Sequence, residues 1–199
     1  MPRILVGSVQ DITSEHPVFV RDGEIEIGVF VQDASSYVGE AMSLEFQANL
    51  FRKHGPRVLF KPEASPLGPC ISGLHELTNG EAAIFEGSGG QLLIDSHRRG
   101  VKGTIPGIEM LDGLVALWNA CEAGDWDRAY EVYYPVCAIA TLQIQGGLDG
   151  FIVSERYMLH RQGLFPNQVH RGPLAFHLDE GTRQEIDRLY DRLQAVLAA

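Results

Sequence analysis

Lysine is scarce in this sequence: three of the 16 basic residues are lysine, at positions 53, 61 and 102. Basic charge as a whole is also short, and the net charge of -10 argues against nucleic acid and anionic membranes as partners. No apolar run approaches the ~20 residues of a membrane-spanning helix. The opening "MPRILVGSVQDITSEHP" lacks the basic start and long apolar stretch of a signal peptide, so a cytoplasmic protein is expected. Cysteine is limited to Cys70, Cys121 and Cys137. An odd number without a CxxC pair fits reduced thiols better than a disulfide framework or a zinc site.

What is present suits a globular α/β chain. The 199 residues are enough for one sizeable core, and 45% of them are apolar. Four short apolar runs, "EIGVFVQD", "RVLFK", "AAIFEG" and "VKGTIPG", read as strands separated by helix-like segments. That alternation, with little polar alternation inside the runs, suggests a parallel sheet covered on both faces. Upstream, "HPVFVRDGEIEIGVFVQD" resembles two strands around a turn. Ser43 can cap a helix that Gly55 ends, and further helices stop at Gly80 and Gly100. After Gly107 the pattern is helical: "MLDGLVALWNACEAG", then a segment capped by Asp125 that Pro135 should kink or divide. "DGFIVSERYMLHRQG" follows, then a last helix with Asp179 as cap and Ile186, Leu189, Leu193 and Val196 on its inner side. The chain thus divides into an atypical N-terminal segment (1–24), a β/α region (25–108) and a helical region (109–199).

Among the lysines, Lys61 ends an apolar strand, at the side of a β/α sheet where chemistry is placed. Lys53 falls in the last turn of a helix, where a cation suits the dipole, and Lys102 stands at a strand's beginning. Burial disfavours the ammonium, and a neutral amine can attack a ketone to form a Schiff base. The alternative for Lys61 is a strand-end lysine that snorkels to water or pairs with Glu63. "EGSGG" has neither the GxxxxGK[ST] nor the GxGxxG pattern, and reads as a tight strand-to-helix turn. The seven histidines form no HExxH pair, so no metal site is expected. No GxSxG elbow supports a nucleophilic serine.

From about Ile25 to Leu197 the sequence resembles the C-terminal two-thirds of the dihydrodipicolinate synthase and N-acetylneuraminate lyase family. These are Schiff-base-forming (β/α)8 barrels that act on pyruvate and other 2-keto acids. The resemblance rests on "LFKPEAS", on "FEGSGGQLLIDSHRRGVKGTIPG", and on "ALWNACEAGDWDRAYEVYYPV" with its Gly-Asp-x-x-x-Ala signature. It implies a partial TIM barrel, strands five to eight, with a C-terminal helical extension. It puts Lys61 at the Schiff-base position, Gly87 and Ser88 in the turn lining the keto-acid pocket, and Ile105 where a backbone carbonyl faces the substrate. No metal or organic cofactor is implied, because the lysine imine is the electron sink.

Two features depart from that pattern. The family's proton-relay tyrosine has Val31 or Gln32 at its position, with Tyr37 nearby as a possible substitute. Strands one to four, with the segment that holds the substrate carboxylate, have no counterpart. The resemblance therefore implies a lyase or aldolase-type protein, or alternatively a shortened, non-catalytic member that binds a partner or keto acid without turnover. The exposed strand edges imply a homo-oligomer.

Overall fold

The computed structural model describes residues 18–22, 25–29, 42–63 and 65–199. They fall into two compact units, one running to Leu59 and including Gly73–Ala82, the other comprising Phe60–Ser72 and Ala83–Ala199.

In the first unit, β1 (Val18–Asp22) and β2 (Ile25–Val29) form an antiparallel pair in register from Val18↔Val29 to Asp22↔Ile25. Ile25–Val29 is thus not in the same sheet as the later strands, as four parallel strands would require. Two intervening residues suit an antiparallel partner, whereas a parallel one needs a crossover of about a dozen or more. Helix α1 (Leu44–His54) starts at Ser43, whose hydroxyl accepts from the Phe46 N–H at 3.2 Å. Gly55, at φ 64°, ends it, and a 3-10 turn (Gly55–Arg57) leads to β3 (Leu59–Phe60). Ala48 and Phe51 are the buried residues of α1. Helix α2 (Leu67–Leu77) begins in the second unit and ends in the first. There Gly73 lets Leu44 approach: a Cβ would stand 2.6 Å from Leu44 Cδ1.

Of the three-stranded sheet in the order β3-β4-β5, the second unit holds Phe60 of β3 and all of β4 (Ala83–Glu86) and β5 (Gly103–Thr104), which are parallel. Phe85 pairs with Gly103 and Glu86 with Thr104; Lys102 N–H donates to the Ile84 carbonyl and Ile105 N–H to that of Glu86. Burial alternates along β4. Ile84 and Glu86 are buried while Ala83 and Phe85 are partly exposed, so the two faces differ more than the apolar run suggests. The connection from β4 to β5 carries α3 (Leu93–Arg98).

Helices α4 (Leu111–Ala123), α5 (Trp126–Ile144), α6 (Gly147–Arg161) and α7 (Glu180–Leu197) enclose the main core. Leu114, Leu117, Val132, Val136, Ile139, Ile186 and Leu193 pack there with Leu93 and Ile94 of α3. The boundaries are local chemistry. Gly124 takes the left-handed conformation at the end of α4, and the Asp125 and Asp179 carboxylates accept from N–H groups of the next first turns. Pro135 does not divide α5, which runs unbroken for 19 residues. Val132, Val136 and Ile139 bracket the proline and are fully buried, so packing holds the helix together despite the lost hydrogen bond. Among the described residues, no helix is long and apolar enough to cross a membrane.

Candidate active site

The ends of three strands meet in the second unit, and each contributes polar groups. Phe60 of β3 is buried, and the chain emerges immediately after it at Lys61. The lysine is not buried in turn: its side chain is 36% exposed, and Nζ lies 2.6 Å from Glu63 Oε1. Sequence reasoning left two readings for Lys61, a buried neutral amine or a partner of Glu63. The structure has the second arrangement.

Glu63 also reaches the turn after β4. A Cβ on Gly87 would stand 2.6 Å from Glu63 Cγ and 2.8 Å from the Pro62 carbonyl oxygen. Glycine is therefore required at 87 by the chain leaving β3. The next two glycines, Gly89 and Gly90, have φ of 66° and 94°, and a side chain at Gly90 would run into Leu114. The turn is tight because it must clear both β3 and α4.

The organising residue of this turn is Glu86, which sequence reasoning did not single out. It is fully buried at the last position of β4. Its Oε1 accepts from the Ser88 N–H at 2.7 Å and from the Ser88 hydroxyl, and its Oε2 accepts from Thr104 Oγ1 at 2.6 Å. Because Glu86 and Thr104 are parallel-register partners, their side chains leave the sheet on the same face. One carboxylate thereby ties the end of β4 to the end of β5 and closes the turn between them. A carboxylate as the last residue of an apolar strand, directly before glycine, was the available signal. Such a group is buried only where donors surround it.

Ser88 is fully engaged: its oxygen donates to Glu86 and accepts from the Leu92 N–H at 2.8 Å. Ile105 follows β5, about half exposed, with its N–H given to Glu86. Lys61, Gly87, Ser88 and Ile105 are therefore all at the same ends of neighbouring strands. Tyr37 lies outside the described residues. Beside β5 is a groove of about 240 Å³ between Lys102–Thr104 and the α4 residues Leu111, Val115 and Trp118. Among the described residues no group of three His, Cys, Asp or Glu could hold a metal ion.

No protein-family model matches the chain, and no curated protein matches it. Solved structures do. Dihydrodipicolinate synthase from Rhodopseudomonas palustris is 26% identical, with a TM-score of 0.67 over 77% of this chain and 51% of that one. This chain resembles the dihydrodipicolinate synthase and sialic acid aldolase structures. The 4-hydroxy-tetrahydrodipicolinate synthase of Methylacidiphilum fumariolicum SolV is 20% identical, with a TM-score of 0.64 and coverage of 78% and 50%. Sialic acid aldolase from Ruminococcus gnavus is likewise 20% identical, with a TM-score of 0.63 and coverage of 78% and 52%. The chain spans about half the length of the structures it matches. Its helix-rich architecture with a small parallel sheet corresponds to part of a TIM barrel.

Proposed function

We propose that this chain is a lyase or aldolase-type protein that acts on pyruvate or a sugar-derived 2-keto acid through a Schiff base on Lys61. The observation that carries the reading is the position of Lys61. It ends β3 beside the ends of β4 and β5, in a chain whose fold is similar to that of synthases and aldolases.

In this mechanism the ammonium first parts from Glu63 and gives up a proton. The free amine adds to the keto carbon, and the carbinolamine hydroxyl leaves as water once protonated. In carbon–carbon cleavage the protonated imine accepts the electron pair of the breaking bond as the departing carbon becomes a carbonyl, and the resulting enamine takes up a proton to restore the imine. In dehydration it accepts the pair of a C–H bond before the hydroxyl departs with its own pair as water. Hydrolysis returns the amine and releases the keto acid. Gly87 and Ile105 would offer backbone to the substrate. Ser88 would act through the shape of its turn, since Glu86 and Leu92 already engage its hydroxyl. Tyr37 is the proposed proton relay, and a homo-oligomer the proposed working form. The exposed Ile105, Ile108, Leu111 and Val115 beside β5 are the apolar surface a second copy would cover.

A second reading, a non-catalytic member that binds a keto acid or partner, is favoured by one observation: the exposed, ion-paired state of Lys61. Borohydride reduction in the presence of pyruvate separates the two. The enzyme reading expects an adduct on Lys61 by peptide mass, absent from Lys61→Ala. Equal trapping by both proteins, or by neither, refutes it.

A further inference from the structure

Away from the strand ends, a second carboxyl pair is built into the helical region. Glu109 lies in the short segment that joins β5 to α4 and is 3% exposed. Its Oε1 accepts from Gln143 Nε2 of α5 at 2.7 Å, and its main-chain carbonyl accepts from Gln162 Nε2 at 2.7 Å. Its Oε2 has no hydrogen-bond partner other than what Glu155 of α6 can offer. The two carboxyls crowd the same space: a Cβ on Gly107 would contact Glu109 Oε2 and stand 2.8 Å from Glu155 Oε1. Glu155 Oε1 also accepts from the Ile108 N–H at 3.4 Å.

We propose that Glu109 and Glu155 share one proton, and that this proton clasps the Pro106–Met110 segment onto α6. Two carboxylates held against each other in a buried site cannot both ionise without strong repulsion. The N–H that Gln143 donates to Oε1 favours an ionised Glu109, but Gln162 serves the main-chain carbonyl and no other donor reaches Oε2. A proton on the Glu109–Glu155 edge supplies the missing hydrogen bond and removes one charge.

The other ionisable groups leave this assignment intact. Glu155 also borders a cavity of about 220 Å³ with Arg156, His170 and Arg171, which gives the pair a route to exchange protons. Arg156 stacks over the Phe165 ring at 4.1 Å and donates to Asn167, while His160 Nδ1 meets the Phe165 carbonyl. Arg161 is held by Asp187 and Asp191. Burial, the largest influence, and the Glu155 charge push Glu109 up to about 7 against the hydrogen bond from Gln143.

Between the ordinary carboxylate value of 4.5 and about 7, the folded chain keeps a proton that the unfolded chain has lost. The contribution is therefore complete below that window and lost as pH rises through it. The proposal stands apart from Lys61 chemistry, and its test uses the full chain without substrate.

Hydrogen exchange of the 107–111 amides, corrected for intrinsic rate, is followed from pH 5 to pH 8. In the parent, protection is expected to fall roughly tenfold or more across the range. In Glu109→Gln, which keeps the shape of a protonated carboxyl, the profile is expected to be flat. A flat parent, or a Glu109→Gln profile that tracks the parent, overturns the proposal. Should Glu109→Gln fail to fold, infrared difference spectra of the parent and Glu155→Gln decide it. In the parent a protonated-carboxyl band near neutral pH that disappears by pH 8 supports the shared proton, and in Glu155→Gln that band should be lost at lower pH; no such band in the parent, or the same loss in both proteins, overturns the proposal.

Discussion

Replacing Glu86 with alanine should destabilise the second unit substantially. The carboxylate is fully buried and receives three donors: the Ser88 N–H, the Ser88 hydroxyl and the Thr104 hydroxyl. Hydrogen bonds to a charged acceptor contribute about 1.5–3 kcal/mol each, so a naive sum would reach roughly 5–9 kcal/mol. Two effects reduce it. Thr104 Oγ1 also lies 3.2 Å from the main-chain oxygen of residue 86 and can turn to it, and Ser88 Oγ keeps the Leu92 N–H. Removing the carboxylate also removes the desolvation it bears, which offsets part of the loss. The Ser88 N–H alone has no alternative acceptor at hand. The expected loss is therefore about 2–4 kcal/mol, or a urea midpoint lower by roughly 1–2 M for a typical slope. Glu86→Gln keeps an acceptor for Ser88 and turns an amide toward Thr104, and should cost about 1 kcal/mol. Urea unfolding followed by far-UV circular dichroism measures both. An alanine variant within about 0.5 kcal/mol of the parent, or a glutamine variant worse than alanine, would refute the role given to Glu86.

Gly90→Ala should destabilise by roughly 2–4 kcal/mol, since φ is 94° and the new methyl would press on Leu114 and Val136; thermal unfolding reads this. Asp125→Ala removes the cap that accepts from the Arg128 N–H at 3.1 Å and should cost about 1 kcal/mol, whereas Asp125→Ser should recover most of it in the same urea titration. Glu63→Gln should change stability by less than about 1 kcal/mol, because both partners of the ion pair are more than a third exposed. It should still raise the rate at which an amine-directed acylating reagent labels Lys61 at fixed pH, read by peptide mass; an unchanged rate would mean that Glu63 does not hold the ammonium.

What the sequence made legible was mainly local. Ser43, Asp125 and Asp179 act within three residues of themselves, and Gly55, Gly80, Gly100, Gly124 and Gly163 all adopt the positive φ that stops a helix. Such signals need no knowledge of the rest of the fold. The position of Lys61 at a strand end was equally local. The partner chosen by Ile25–Val29 was not, because a strand's own residues do not say which edge it will meet. Of the two outcomes expected at Pro135, division of the helix does not occur, because the buried residues around it pack in the core shared with α4, α6 and α7. Neither Glu86 nor Glu109 was singled out. Their burial comes from neighbours 18 and 34 residues away, Thr104 and Gln143.

The arrangement around Lys61 separates two requirements that Schiff-base chemistry joins. Placement is supplied by the chain itself: β3 delivers the lysine, Gly87 lets β4's turn approach it, and Glu86 fixes that turn to β5. Dryness is not. An amine is held neutral near physiological pH by removal from water, which can lower a lysine pKa by about 3–5 units when burial is complete. Lys61 instead keeps 36% of its side chain exposed and meets a carboxylate. That ion pair is a small obstacle, because an exposed pair contributes about 0–1 kcal/mol, at most a few-fold in the population of free lysine. The proposed second copy would shield Lys61 further, and the apolar surface it would cover lies beside β5 at Ile105, Ile108, Leu111 and Val115. On this reasoning the trapping yield at Lys61 should follow the assembled fraction of the protein: it should rise with concentration and fall when Val115→Glu charges that surface. A yield independent of both would locate the limiting factor in Lys61 and its immediate neighbours.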